Sequence, residues 1–261
     1  MRIALGLEYF GGAFHGWQSQ AGGGTVQDVL EAALAEIAGE KVATVCAGRT
    51  DAGVHASLQV VHFDTEAVRP LTAWVRGVNT FLPETVAVLW AQLVSDEFHA
   101  RFRAYGRRYR YLLINRPQRL GLWRGRYGWT HTPLALGRMQ AAAAQLLGEH
   151  DFSSFRAAEC QARSPVKQLW QAEVSQSGEL FVFDFAANGF LHHMVRNLVG
   201  ALVTVGKGAQ EAEWMAEILA ARDRSLAAPT FSPDGLYFRG PMYEAHWGPP
   251  RLDDRLPREL P

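Results

Sequence analysis

Residues 2–9 alternate in character, with Ile3, Leu5, Leu7 and Tyr9 on one face, which predicts a strand with one buried side. Glycines at 11–12 and 22–24 mark loops. Thr25 stands where a helix cap belongs, ahead of Val26, Val29, Leu30, Ala33, Leu34 and Ile37 at i, i+3, i+4 spacing, and Gly39 ends the run. Lys41–Cys46 predicts a short strand, GRTDAGVHA a loop, and Ser57–Phe63 a second strand rich in β-branched and aromatic residues. A helix is expected from Pro70 to about Thr80 and a strand over Thr85–Val94. In Arg107–Asn115 the residues Tyr109, Tyr111 and Leu113 share one face, and Arg108, Arg110 and Leu112 the other. Pro133–Leu147 predicts a helix stopped by Gly148. Lys167–Ser175 and Glu179–Ala186 flank Gln-Ser-Gly as a hairpin. Helices over Phe190–Val205 and Glu211–Ala221 and a strand over Leu236–Tyr243 complete the pattern.

The order is β-α-β-β-α-β, then β-α-β-β-α-α-β. Two stretches of similar grammar predict an α/β protein of the α+β type, built from two similar split-βαβ (ferredoxin-like) halves. Their sheets should be mainly antiparallel, because hairpins outnumber helical crossovers, and a cleft between the halves would suit a ligand. The expected halves are 1–104, carrying the polar loop, and 105–247, with a flexible tail at 248–261. A length of 261 residues suits such a pair, and 48% hydrophobic with 20% charged residues excludes a disordered chain. The most apolar window, Phe190 to Val205, is interrupted by His192, His193 and Arg196, so no membrane span is expected. The N-terminal MRIALGLEYF lacks the features of a secretory signal, and two cysteines make no disulfide framework; both point to the cytoplasm.

The net charge of zero hides an uneven distribution. From His99 to Arg126 there are nine arginines and no acid, whereas the first 40 residues carry five acids and one arginine. Arginine forks match phosphate oxygens and stack on bases, so this segment is expected to track a nucleic-acid backbone.

The densest polar loop is Cys46-Ala-Gly-Arg-Thr-Asp-Ala-Gly-Val-His55. Gly48 and Gly53 permit a tight path that projects Arg49, Thr50 and Asp51. From the loop alone two readings stand. Asp51 is a nucleophile, general base or metal ligand, or it closes an Asx-type turn on its own backbone. A thiol hydrolase built on Cys46, Asp51 and His55 would crowd its members into ten residues of one loop. A zinc site from Cys46, His55, His62, His192 and His193 lacks recognised ligand spacing. His192 and His193, adjacent on a helix, would face different sides.

GRTDAGVHA resembles the catalytic-aspartate motif of the tRNA pseudouridine synthase A family. GWQSQ at 16–20, VQDVLEAAL at 26–34, QVVHF at 59–63, GVNTFLP at 77–83, FHARF at 98–102 and RRYRY at 107–111 resemble the family in order and spacing. So do LLGEHDFSSFRA at 146–157 and HHMVRNLVG at 192–200, and the resemblance spans about residues 2–245. It implies isomerisation of uridine to pseudouridine at tRNA positions 38, 39 and 40, without a cofactor or metal, by a homodimer. It assigns the nucleophile to Asp51, base flipping to Arg49, uracil contact to Tyr109 and pairing with the aspartate to Arg196. It assigns RNA contacts to Arg69, to Phe98, His99, Ala100, Arg101 and Phe102, and to Glu159, Cys160, Gln161, Ala162 and Arg163. Of these, Arg101 and Arg163 are suited to phosphates, while Phe98, Phe102 and Tyr111 are expected in the core. A non-catalytic RNA-binding module is the alternative, but an aspartate among arginines repels phosphate and favours an enzyme.

Overall fold

The computed structural model describes residues 1–248; the expected tail lies, from 249 on, outside the described residues. The chain divides into two compact units. The first holds Met1–Arg107 and the described residues from Tyr237 on, and the second holds Arg108–Leu236.

In the first unit the strand order is β4 (Val86–Val94), β1 (Arg2–Tyr9), β3 (His55–Asp64), β10 (Leu236–Tyr243), with the two-residue β2 (Val45–Cys46) beside β3. β1 is antiparallel to both neighbours, and β10 runs parallel to β3. β1 was expected to bury one side; Ala4 and Gly6 are buried as well, so both faces are covered. β2 is shorter than the expected strand, because only Val45 and Cys46 reach β3, opposite His62 and Val61. α1 (Val26–Ala38) ends where its sequence predicts. Thr25 and Asp28 form a reciprocal capping box, and Gly39 leaves the helix at φ 74°. The expected helix after Pro70 contains a π-helical turn at Ala73–Gly77 before α2 (Val78–Phe81).

In the second unit the order is β5 (Ala104–Asn115), β9 (Leu180–Ala187), β8 (Val166–Ser177), β7 (Gly148–Asp151), with β6 (Gly128–Thr130) parallel to β5. β8 and β9 form the expected antiparallel hairpin, but its turn is Gly178-Glu179, since Ser177 already pairs with Leu180. β7 continues the sheet antiparallel to β8 where only a helix stop was expected. α3 (Leu136–Ala144), α4 (Met194–Gly206) and α5 (Trp214–Ala221) supply the helices. α4 starts four residues later than its apolar window. His193 adopts φ 61° at its N-cap, so His192 and His193 precede the helix, and their rings lie 4.0 Å apart, tilted by 40°, instead of facing different sides. α4 is buried on nearly every face, and its polar Asn197 is satisfied by Phe155 O, Thr230 and Arg224.

The fold is thus mixed α/β with mainly antiparallel sheets. No helix among the described residues is long and apolar enough to cross a membrane.

Candidate active site

In the first unit the polar loop leaves β2 and returns into β3. Ala47 N donates to Val60 O at 2.8 Å, and Arg107 Nη2 donates to Ala47 O at 3.1 Å. Gln59, buried beneath, donates from Nε2 to Gly48 O at 2.6 Å. Thr50 is buried, with its hydroxyl 2.8 Å from Tyr9 OH and its carbonyl accepting from Trp17 N at 3.0 Å. A turn closes the loop: Val54 N donates to Asp51 O at 3.1 Å, and Gly53 takes φ 80°. Gly16, at φ 92°, lies against the same backbone, and a Cβ there would come within 2.8 Å of Thr50 O. The loop is therefore pinned on both sides of Asp51. Arg49 is exposed and Asp51 half-buried, while Thr50 between them points inward.

The thiol-hydrolase reading loses its nucleophile to burial. Burial pushes the Cys46 thiol up to about 12, against the pull of Arg49 and Arg101, so it is no thiolate nucleophile near neutral pH. His55 Nδ1 accepts from Gly11 N at 2.9 Å, and His62 Nδ1 accepts from Ala100 N at 3.1 Å.

The expected RNA segment of this unit divides by burial. Phe98 and Ala100 are fully buried, Phe98 packing near Tyr243 and Trp247, so neither side chain offers surface to RNA. Phe102, expected in the core, is 74% exposed and stacks on His99 at 4.3 Å with the Arg101 guanidinium 5.7 Å from its ring. His99 Nδ1 accepts from both Arg101 N and Phe102 N at 3.2 Å, which shapes this turn. Arg69 is exposed and bonds the Ile37 carbonyl at the end of α1.

The nine arginines are not all a surface stripe. Arg110 is fully buried against Asp184, and Arg107 binds the carbonyls of Ala104, Ala47 and Arg101. Arg103 bonds Glu97 O and lies over Trp247, and Arg116 reaches Gln118 O and Glu179. Sequence clustering could not separate buried Arg110 and half-buried Arg107 and Arg116 from exposed Arg101, Arg103, Arg119, Arg124 and Arg126.

In the second unit Tyr109 is half-buried on β5 and meets Phe190 edge-on at 5.0 Å. Tyr111 is fully buried, as expected, and donates its hydroxyl to Ser232 O at 2.9 Å. The segment from Phe190 leads into α4, where half-buried Arg196 donates from Nε to Phe231 O at 2.8 Å. The same segment contacts the 157–163 loop: Ala157 N donates to His192 O at 3.1 Å, and His192 N to Cys160 Sγ at 3.4 Å. Arg156, which sequence reasoning missed, ties this loop from within through the carbonyls of Cys160 and Ala162. Cys160 is consequently buried, Ala162 half-buried, and Glu159, Gln161 and Arg163 are exposed. The structure so brings Tyr109, the 160 loop and the start of α4 into one neighbourhood of this unit.

An α/β protein with an aspartate on a pinned, glycine-flanked loop and exposed arginine and aromatic side chains has the parts of an RNA-modifying enzyme. The family model described as tRNA pseudouridine synthase matches residues 5–103 and 142–244. Among curated proteins, the tRNA pseudouridine synthase A of Dechloromonas aromatica is 69% identical, covering 97% of both chains. That of Aromatoleum aromaticum is 62% identical over 96% of this chain and 95% of its own, and that of Thiobacillus denitrificans 58% over 98% and 99%. The chain belongs to the tRNA pseudouridine synthase family, whose members are isomerases.

Proposed function

We propose that the protein isomerises uridine to pseudouridine at positions 38, 39 and 40 of the tRNA anticodon stem-loop, with Asp51 as nucleophile. The observation that carries this reading is the loop itself. Thr50 and Val54 are buried and bonded while Asp51 between them stays half-buried. An Asx-type turn would need no such scaffolding from Tyr9, Gly16, Trp17 and Gln59. A non-catalytic RNA-binding module would gain nothing from a carboxylate two residues from Arg49.

The reaction breaks the C1′–N1 bond, turns the uracil, and joins C5 to C1′. C5 gives up its proton and N1 takes one, so atoms and electrons balance without oxidant or co-reactant. The Asp51 carboxylate forms the transient adduct, at ribose C1′ or at uracil C6, and is released when the new bond is complete. The target base leaves its stack to reach the carboxylate. Arg49, exposed beside Asp51, fills the vacated space or grips phosphate. Tyr109 offers a ring face to uracil and a hydroxyl to relay the C5 proton. Arg196 supplies positive charge to the nucleophile. Arg69, Arg101, Phe102, Glu159, Gln161 and Arg163 present the surface for tRNA. The protein works as a homodimer in the cytoplasm.

The experiment is to incubate purified protein with tRNA transcripts carrying uridine at 38, 39 or 40 and map pseudouridine at single-nucleotide resolution. Conversion confined to those positions is expected. Conversion elsewhere overturns the positional assignment, and binding without conversion favours the RNA-binding module.

A further inference from the structure

The pairing of β1 with β3 slips by one residue. Leu7 faces Gln59 but Tyr9 faces Ala56, so two β3 residues lie opposite Glu8. Such a bulge bends the strand and re-aims the side chains beside it. The residues at its two ends, Tyr9 and Gln59, both direct buried polar groups onto the polar loop. The Tyr9 hydroxyl meets Thr50 Oγ1 at 2.8 Å, and Gln59 Nε2 meets Gly48 O at 2.6 Å. Among the described residues Gln59 Oε1 is buried and has no hydrogen-bond partner, while Nε2 of the same amide holds the loop. Thr50 is gripped from both ends, by Tyr9 on its side chain and by Trp17 N on its carbonyl.

We infer that Tyr9, through Thr50, is a positioning residue that sets the direction of the Asp51 carboxylate. Thr50 is buried and Asp51 beside it half-buried, so the bonds that anchor Thr50 also fix the backbone from which the Asp51 side chain departs. The Tyr9 ring lies 6.0 Å from Trp17, whose main chain holds the Thr50 carbonyl, so hydroxyl and ring act on the same point of the loop. The inference rests on Asp51 being the nucleophile. Misplacing a reacting group by about 1 Å costs about a hundredfold in rate.

The test measures kcat and KM for tRNA in Tyr9→Phe, Thr50→Ser, Thr50→Val and the Tyr9→Phe/Thr50→Val pair, beside Asp51→Asn. Tyr9→Phe keeps the ring and removes the hydroxyl. Its kcat is expected to fall about a hundredfold with KM unchanged. Thr50→Ser keeps the hydroxyl and stays within a few-fold of wild type, Thr50→Val matches Tyr9→Phe, and the pair is no slower than either alone. Wild-type kcat in Tyr9→Phe overturns the inference. So does Thr50→Ser as slow as Thr50→Val, a loss confined to KM, or multiplying losses in the pair. Wild-type turnover in Asp51→Asn instead removes the nucleophile assignment, whatever the Tyr9 variants do.

Discussion

Arg110 and Asp184 face each other inside the second unit as a doubly bonded pair, Nε to Oδ1 and Nη2 to Oδ2, each at 2.9 Å. Arg110 has no exposed surface. A fork so matched to a carboxylate is strong in geometry but costly to strand, since the survivor of a broken pair is a buried charge without compensation.

Arg110→Ala is therefore expected to lower unfolding free energy by about 3–5 kcal/mol, measured by urea titration, and to leave the salt dependence of tRNA binding unchanged. Arg101→Ala should do the opposite: little change in stability and a shallower slope of log affinity against log salt. A shallower slope from a still-folded Arg110 variant would return that residue to the RNA-contacting set.

The first unit carries a pH dependence of known sign. Burial, with help from His99 and Arg2 and against the pull of Asp64, holds the His62 imidazole down to about 4 from its usual 6.5. The unfolded chain then binds the extra proton between those values. Stability is full above about pH 6.5 and is lost as pH falls toward 4, at a rate of at most about 1.4 kcal/mol per unit. His99, also lowered by burial, adds in the same direction. Melting temperatures from pH 4.5 to 7 should rise with pH, and His62→Gln should flatten the rise. An equally steep rise in the variant would locate the effect elsewhere.

Much of the fold was legible because its cues are local. Thr25, Asp28 and Gly39 cap α1 through residues three or four apart, and the β8–β9 hairpin closes on a glycine. What stayed hidden depends on partners distant in sequence. β6 and β7 are three and four residues long and exist only through pairing with β5 and β8. Phe98 and Phe102 are the same residue type four positions apart, yet one is core and the other surface, which no single-sequence pattern distinguishes. In the site, Asp51 and Arg49 stand out by motif, whereas Tyr9 and Gln59 look like ordinary strand residues until the bulge aims them.

Tyr109 separates two contributions. Tyr109→Phe keeps the ring that meets Phe190 and loses the hydroxyl. Its tRNA affinity should hold while kcat falls about a hundredfold or more, the scale of lost acid–base catalysis. Tyr109→Leu should weaken binding as well, by about 1–3 kcal/mol of stacking. Full turnover in the Phe variant would leave stacking alone, and full turnover in the Leu variant would remove Tyr109 from the site.

The most direct test is Asp51→Asn, assayed by tritium release from tRNA labelled at uracil C5 beside a binding titration on the same preparation. The change is nearly isosteric, and the turn it sits in is closed by the Asp51 backbone carbonyl, so the loop should persist. An amide cannot form the glycosyl or uracil adduct. Tritium release should fall by several orders of magnitude, with tRNA affinity kept or raised as a phosphate-repelling charge disappears. Release at the wild-type rate would contradict the account, and so would a joint loss of activity, binding and melting temperature, which would make Asp51 a structural turn residue.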